Sequence, residues 1–119
     1  MAKILVADDQ ESMRFIIPSL LQEKGHAVTT AEDGQQAFDL LQKENFDLVV
    51  ADVNMPQLNG LEFLKQVREK KPKQKVVFIT GVLEETVRLG AEKLGLDGLL
   101  LKPFEKPDVL ALIDKVLAR

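Results

Sequence analysis

Leu48-Val49-Val50-Ala51 is a short unbroken apolar run, entered from Asp47 and closed by the carboxylate of Asp52. A run this short with no polar alternation reads as a strand buried on both faces, which is a feature of parallel sheets. Met55-Pro56 signals a turn directly afterwards. Asp52 therefore stands where a buried strand leaves its sheet, the place where open α/β sheets bind ligands. Capping of that turn is the plain alternative for this one aspartate.

The same unit repeats along the chain. Strands are expected at Lys3 to Ala7, Ala27 to Ala31 with Val28 inward, Leu48 to Ala51, Val76 to Ile79 and Gly98 to Leu101. Between them, apolar residues recur at helical spacing. Met13, Ile16, Ile17, Leu20 and Leu21 form the first stripe, which Asp8 or Asp9 can cap and Gly25 can end. Pro18 lies inside it and removes one helical hydrogen bond, so one bent helix is expected. Ala37, Leu40 and Leu41 mark the second helix, after the Asp33-Gly34 turn, and Leu61, Leu64 and Val67 mark the third, after Gly60. Leu83, Val87, Ala91 and Leu94 mark a fourth, weakened by about 1 kcal/mol through Gly90. Val109, Leu112, Ile113 and Val116 mark the last, with Pro107 in its first turn. Five βα units predict an α/β fold: a doubly wound five-stranded parallel sheet with helices on both faces and strand order 2-1-3-4-5.

At 119 residues the chain is expected to form a single domain, 1–119, with 45% hydrophobic residues for its core. It has no cysteine, which excludes thiolate metal sites and cysteine nucleophiles, and its one histidine, His26, follows Gly25 in a loop. A net charge of -3 argues against general nucleic-acid binding. No run of about eighteen apolar residues and no signal-peptide pattern is present, so no membrane span and a cytoplasmic location are expected.

In this fold the polar residues of interest share one edge. Asp8 and Asp9 follow strand one, Asp52 ends strand three, Thr80 ends strand four and Lys102 ends strand five. Each alone has a simple structural explanation, as a cap, a strand residue or a surface charge; their common position is the stronger observation. Three carboxylates in one pocket repel, so one takes a proton or a cation enters. An all-oxygen donor set suits Mg²⁺, with Mn²⁺ as a substitute. A carboxylate can also accept a phosphoryl group, and that transfer needs mostly charge neutralisation and positioning.

These residues resemble the receiver domain of two-component response regulators, the family of the chemotaxis regulator, whose fold is flavodoxin-like. The resemblance spans the whole chain and rests on Asp8-Asp9, Asp52 with Met55-Pro56 and Gly60, Thr80, and Lys102-Pro103-Phe104. It implies a phosphorylation-dependent switch rather than an enzyme, taking a phosphoryl group on Asp52 from a histidine kinase or phosphotransfer protein. It further implies direct Mg²⁺ binding by Asp9, Asp52 and the Asn54 carbonyl, with Asp8 acting mostly through water. Thr80 would bond the phosphoryl group, Lys102 would pair with it, and the Lys102–Pro103 peptide would be cis. The output partner, not identifiable from sequence, would read the fourth helix, fifth strand and fifth helix. Self-phosphorylation from small donors is implied too. Leu99 stands where the family usually has Tyr or Phe, and Gly81 where it commonly has Ala. Apolar Val82 offers nothing to position an attacking water, so a long-lived phosphate is expected. The chain ends at Arg119, soon after the last helix, and reads as a stand-alone regulator or a piece of a longer protein.

Three other functions come into question. A non-switching interaction module would keep the fold without the chemistry. A small Asp-based phosphatase would show Asp-x-Asp after strand one, whereas here the pair is adjacent. An FMN carrier of the same strand order would need a phosphate-binding loop where Asp8 and Asp9 would repel the phosphate.

Overall fold

The computed structural model describes residues 1–119. The elements run β1 (Lys3–Ala7), α1 (Glu11–Gln22), β2 (Ala27–Ala31), α2 (Gly34–Lys43), β3 (Leu48–Ala51), α3 (Gly60–Lys70), β4 (Val76–Thr80), α4 (Glu85–Lys93), β5 (Gly98–Leu101) and α5 (Lys106–Leu117). The strands form one parallel sheet in the order β2-β1-β3-β4-β5, as the alternation predicts.

Successive strand side chains point to opposite faces, and that alternation sorts the core into two halves. Leu5, Ala7, Val49, Ala51, Val76 and Phe78 turn to one face, where α2, α3 and α4 cover them with Ala37, Leu41, Phe63, Leu64, Val67 and Ala91. Ile4, Val6, Leu48, Val50, Val77 and Ile79 turn to the other, covered from α1 and α5 by Ile17, Leu21, Val109, Ile113 and Val116. The three inner strands, β1, β3 and β4, are buried on both faces apart from half-buried Lys3, which is why they read as continuous apolar runs. On the edge strand β5, Leu99 and Leu101 are exposed.

Helix α1 is a single helix through Pro18. Its capping differs from expectation: Gln10 occupies the N-cap without a side-chain cap bond. Asp8 instead uses Oδ1 to accept the Gln10 N–H at 2.9 Å, closing a local turn. Ile16, expected inward, is 38% exposed, because the stripe is narrower than its spacing suggests. In α3 the largest buried side chain is Phe63, which the sequence stripe omits. Leu83 precedes α4, where Ala91 alone is fully buried, matching a lightly held helix. The structure gives His26 a local role: its Nδ1 accepts the Ala2 N–H at 3.0 Å. No helix is long and apolar enough to cross a membrane.

Candidate functional site

The ladder register places the site. Ala7 of β1 lies beside Ala51 of β3. The next residues, Asp8 and Asp52, continue the ladder through Asp8 N–H to the Ala31 carbonyl at 3.1 Å and Asp52 N–H to the Ala7 carbonyl at 3.0 Å. Since Ala7 and Ala51 share one face, alternation turns both carboxylates to the other, side by side at the edge. Thr80 lies beside Leu101, and the Lys102 N–H continues that ladder to the Thr80 carbonyl at 2.8 Å. The loop after β3 is anchored by buried Val53, Met55 and Leu58. The Lys102–Pro103 peptide is cis.

Asp52 is 6% exposed, and both of its oxygens are engaged. Oδ1 accepts the Thr80 hydroxyl at 2.8 Å and the Asn54 N–H at 2.9 Å. Oδ2 accepts Lys102 Nζ at 2.7 Å. The Val82 carbonyl stands 3.2 Å from the Thr80 hydroxyl. A hydroxyl has one proton to donate, and the shorter contact directs it to Asp52. Lys102 Nζ also reaches Asp8 Oδ2 at 2.9 Å and Gln10 Oε1 at 3.0 Å. The Arg14 guanidinium donates to the Asp8 carbonyl at 2.9 Å and fixes that turn from α1.

Burial is the main influence on Asp8 and pushes its carboxyl above the ordinary carboxylate range; bonds from the Gln10 N–H and Lys102 offset part of that. Burial works against the Lys102 ammonium as well. Its bonds to Asp52 and Asp8 outweigh it and raise the lysine pKa above its ordinary value. The ammonium is therefore the cation that neutralises the carboxylate pair.

Of the residues expected to share a pocket, the structure brings together Asp8, Asp52, Thr80 and Lys102, with the Asn54 backbone beside them. Asp9 is exposed, and no three carboxylate or imidazole groups converge in a ready-made metal cluster. Lys102 Nζ bridges Asp8 and Asp52, and Asp9 does not join them. Gln10 and Arg14 went unnoticed in the sequence. No sequence signal points to either, because each contact is fixed by how the loop after β1 folds over the sheet edge.

Residues 4–114 match the family model described as response regulator receiver domain. The alkaline phosphatase synthesis transcriptional regulatory protein PhoP of Bacillus subtilis is 37% identical over 117 residues, covering 98% of this chain and 49% of PhoP. The chain thus spans about half the length of that relative. Chemotaxis protein CheY-3 of Vibrio cholerae is 36% identical over 120 residues, covering 98% of this chain and 92% of that protein. The solved structure of response regulator protein TrrA from Thermotoga maritima in complex with Mg²⁺ and BeF superposes with a TM-score of 0.89. It is 31% identical and covers 98% of this chain and 99% of its own.

Proposed function

The chain belongs to the receiver-domain family of two-component response regulators, and from that membership we propose that Asp52 is its phosphoryl acceptor. The observation that carries the proposal is the environment of the Asp52 carboxylate, nearly buried yet met by a hydroxyl, a backbone N–H and an ammonium. A carboxylate oxygen of Asp52 attacks the phosphorus of a phosphohistidine on a kinase or phosphotransfer protein. The N–P bond breaks and the imidazole leaves with its electron pair. Lys102 and Thr80 are placed to hold the new phosphoryl oxygens where Asp52 oxygens now bond them. Small phosphodonors would serve the same carboxylate, and Val82, 61% exposed and apolar, favours slow loss of the product.

The donor set fits Mg²⁺, with Mn²⁺ as a substitute: two adjoining buried carboxylates, a third at Asp9, the Asn54 carbonyl, no thiol, and His26 bonded elsewhere. Bound there, the ion supplies positive charge between the carboxylates and the incoming phosphoryl group. An ion there would share the charge of the Asp8–Asp52 pair with the Lys102 ammonium. In this reading residues 1–119 act as one cytoplasmic receiver unit without direct nucleic-acid contact. Output leaves through α4, β5 and α5, where Leu89, Leu99 and Leu101 present exposed apolar side chains to a partner.

Beryllofluoride with Mg²⁺ tests the switch. Amide NMR is expected to show shifts at Asn54 and at Thr80 to Val82 that extend into α4 and β5. Shifts confined to the site would favour the non-switching module, a reading to which Leu99 in place of an aromatic ring lends weight.

A further inference from the structure

Lys102 has three N–H donors and no acceptor. Each donor has a partner, and the third partner is neutral: Asp52 Oδ2, Asp8 Oδ2 and the amide oxygen of Gln10 at 3.0 Å. Gln10 holds the N-cap of α1 without capping it. Asp, Asn or Ser would do that better, and its longer side chain reaches Lys102 instead. Its backbone N–H meanwhile binds Asp8 Oδ1 at 2.9 Å. Gln10 therefore touches both members of the Asp8–Lys102 pair, and only one of those contacts depends on its side chain.

We propose that Gln10 is a positioning residue whose side-chain oxygen holds the Lys102 ammonium on Asp8 and so opposes entry of a divalent cation. The inference rests on the metal reading of the preceding subsection. The Lys102 ammonium and a divalent cation draw on the charge of the same Asp8–Asp52 pair, so whatever stabilises the ammonium there weakens the cation. A neutral amide does this without adding a charge that would itself attract the metal. Gln10→Met keeps the length and the backbone bond and removes the acceptor. Water replaces part of what is lost at this exposed position, so the expected gain in Mg²⁺ affinity is about threefold.

The experiment is a Mg²⁺ titration followed by the amide signals of Asn54, Thr80 and Gly81. It uses the parent, Gln10→Met, Lys102→Met and the double variant. The proposal expects Kd to fall about threefold from parent to Gln10→Met, and to be the same in Lys102→Met and the double variant, because Gln10 acts through the ammonium. Unchanged or weaker binding in Gln10→Met overturns it, and so does the same change in both backgrounds. If the parent shows no saturable shift, the metal reading itself falls and the inference with it. Local damage to the fold would weaken binding, opposite to the expected direction.

Discussion

Lys102→Met is expected to lose about 3 kcal/mol of stability in metal-free buffer and to recover most of it when Mg²⁺ is added. The side chains of Asp8 and Asp52 are 2% and 7% exposed, and Lys102 is the cation that contacts both. Methionine keeps much of the stem's packing and removes the charge. Two adjoining carboxylates are then left without a counter-charge. Removing one partner of a buried ion pair costs about 3–5 kcal/mol, and the low end applies because the site opens at the sheet edge. Mg²⁺ binds the folded state and adds about 2.7 kcal/mol at roughly 100 times its Kd. The parent gains less from the ion, since Lys102 already neutralises part of the pair's charge. Urea unfolding with EDTA and with Mg²⁺ measures all four midpoints. A Lys102→Met protein as stable as the parent without metal would show that the ammonium is not neutralising the pair.

Gly60→Ala is expected to destabilise the fold by about 2 kcal/mol and to slow phosphoryl uptake at Asp52. Gly60 opens α3, and its N–H donates to the Val53 carbonyl at 2.8 Å. A Cβ there would lie 2.6 Å from Val53 Cα and 2.9 Å from the Asp52 carbonyl oxygen. Both are backbone atoms, so the start of α3 or the chain just after β3 must move. Overpacking costs about 1–3 kcal/mol, more than alanine's gain in helix propensity at the first helical position. Gly90→Ala is the contrast. Its added Cβ meets the flexible Leu61 side chain at 3.3 Å, and alanine gains about 1 kcal/mol within the helix. Thermal unfolding of the two variants should shift in opposite directions; equal shifts would mean that the close approach of Gly60 to β3 is unimportant.

The sheet was legible because β1, β3 and β4 are buried on both faces, and that burial leaves a continuous apolar run in the sequence. Residues at strand ends were legible for the same reason, since a polar residue directly after such a run has one place to go. Side-chain partners were not. Asp8 reads as a helix cap in one dimension, but in space its oxygens bind the Gln10 N–H and Lys102, the latter distant in sequence. Phe63 was missed because the Leu61, Leu64, Val67 spacing already satisfied the helical pattern without it. Ile16 was assigned inward because periodicity says nothing of how wide a helix face the sheet covers. The carboxylate cluster and the lysine at the same edge were anticipated from their strand ends. What strand ends do not reveal is that Lys102, just after β5, bonds Asp8 and Gln10 as well as Asp52.

The central claim, that Asp52 accepts a phosphoryl group, is tested most directly by intact mass. The parent and Asp52→Asn are incubated with Mg²⁺ and acetyl phosphate, and the decay of any adduct is followed in time. The account predicts one phosphoryl group on the parent, decaying slowly, and none on the variant. No uptake by the parent, or equal uptake by the variant, would contradict it.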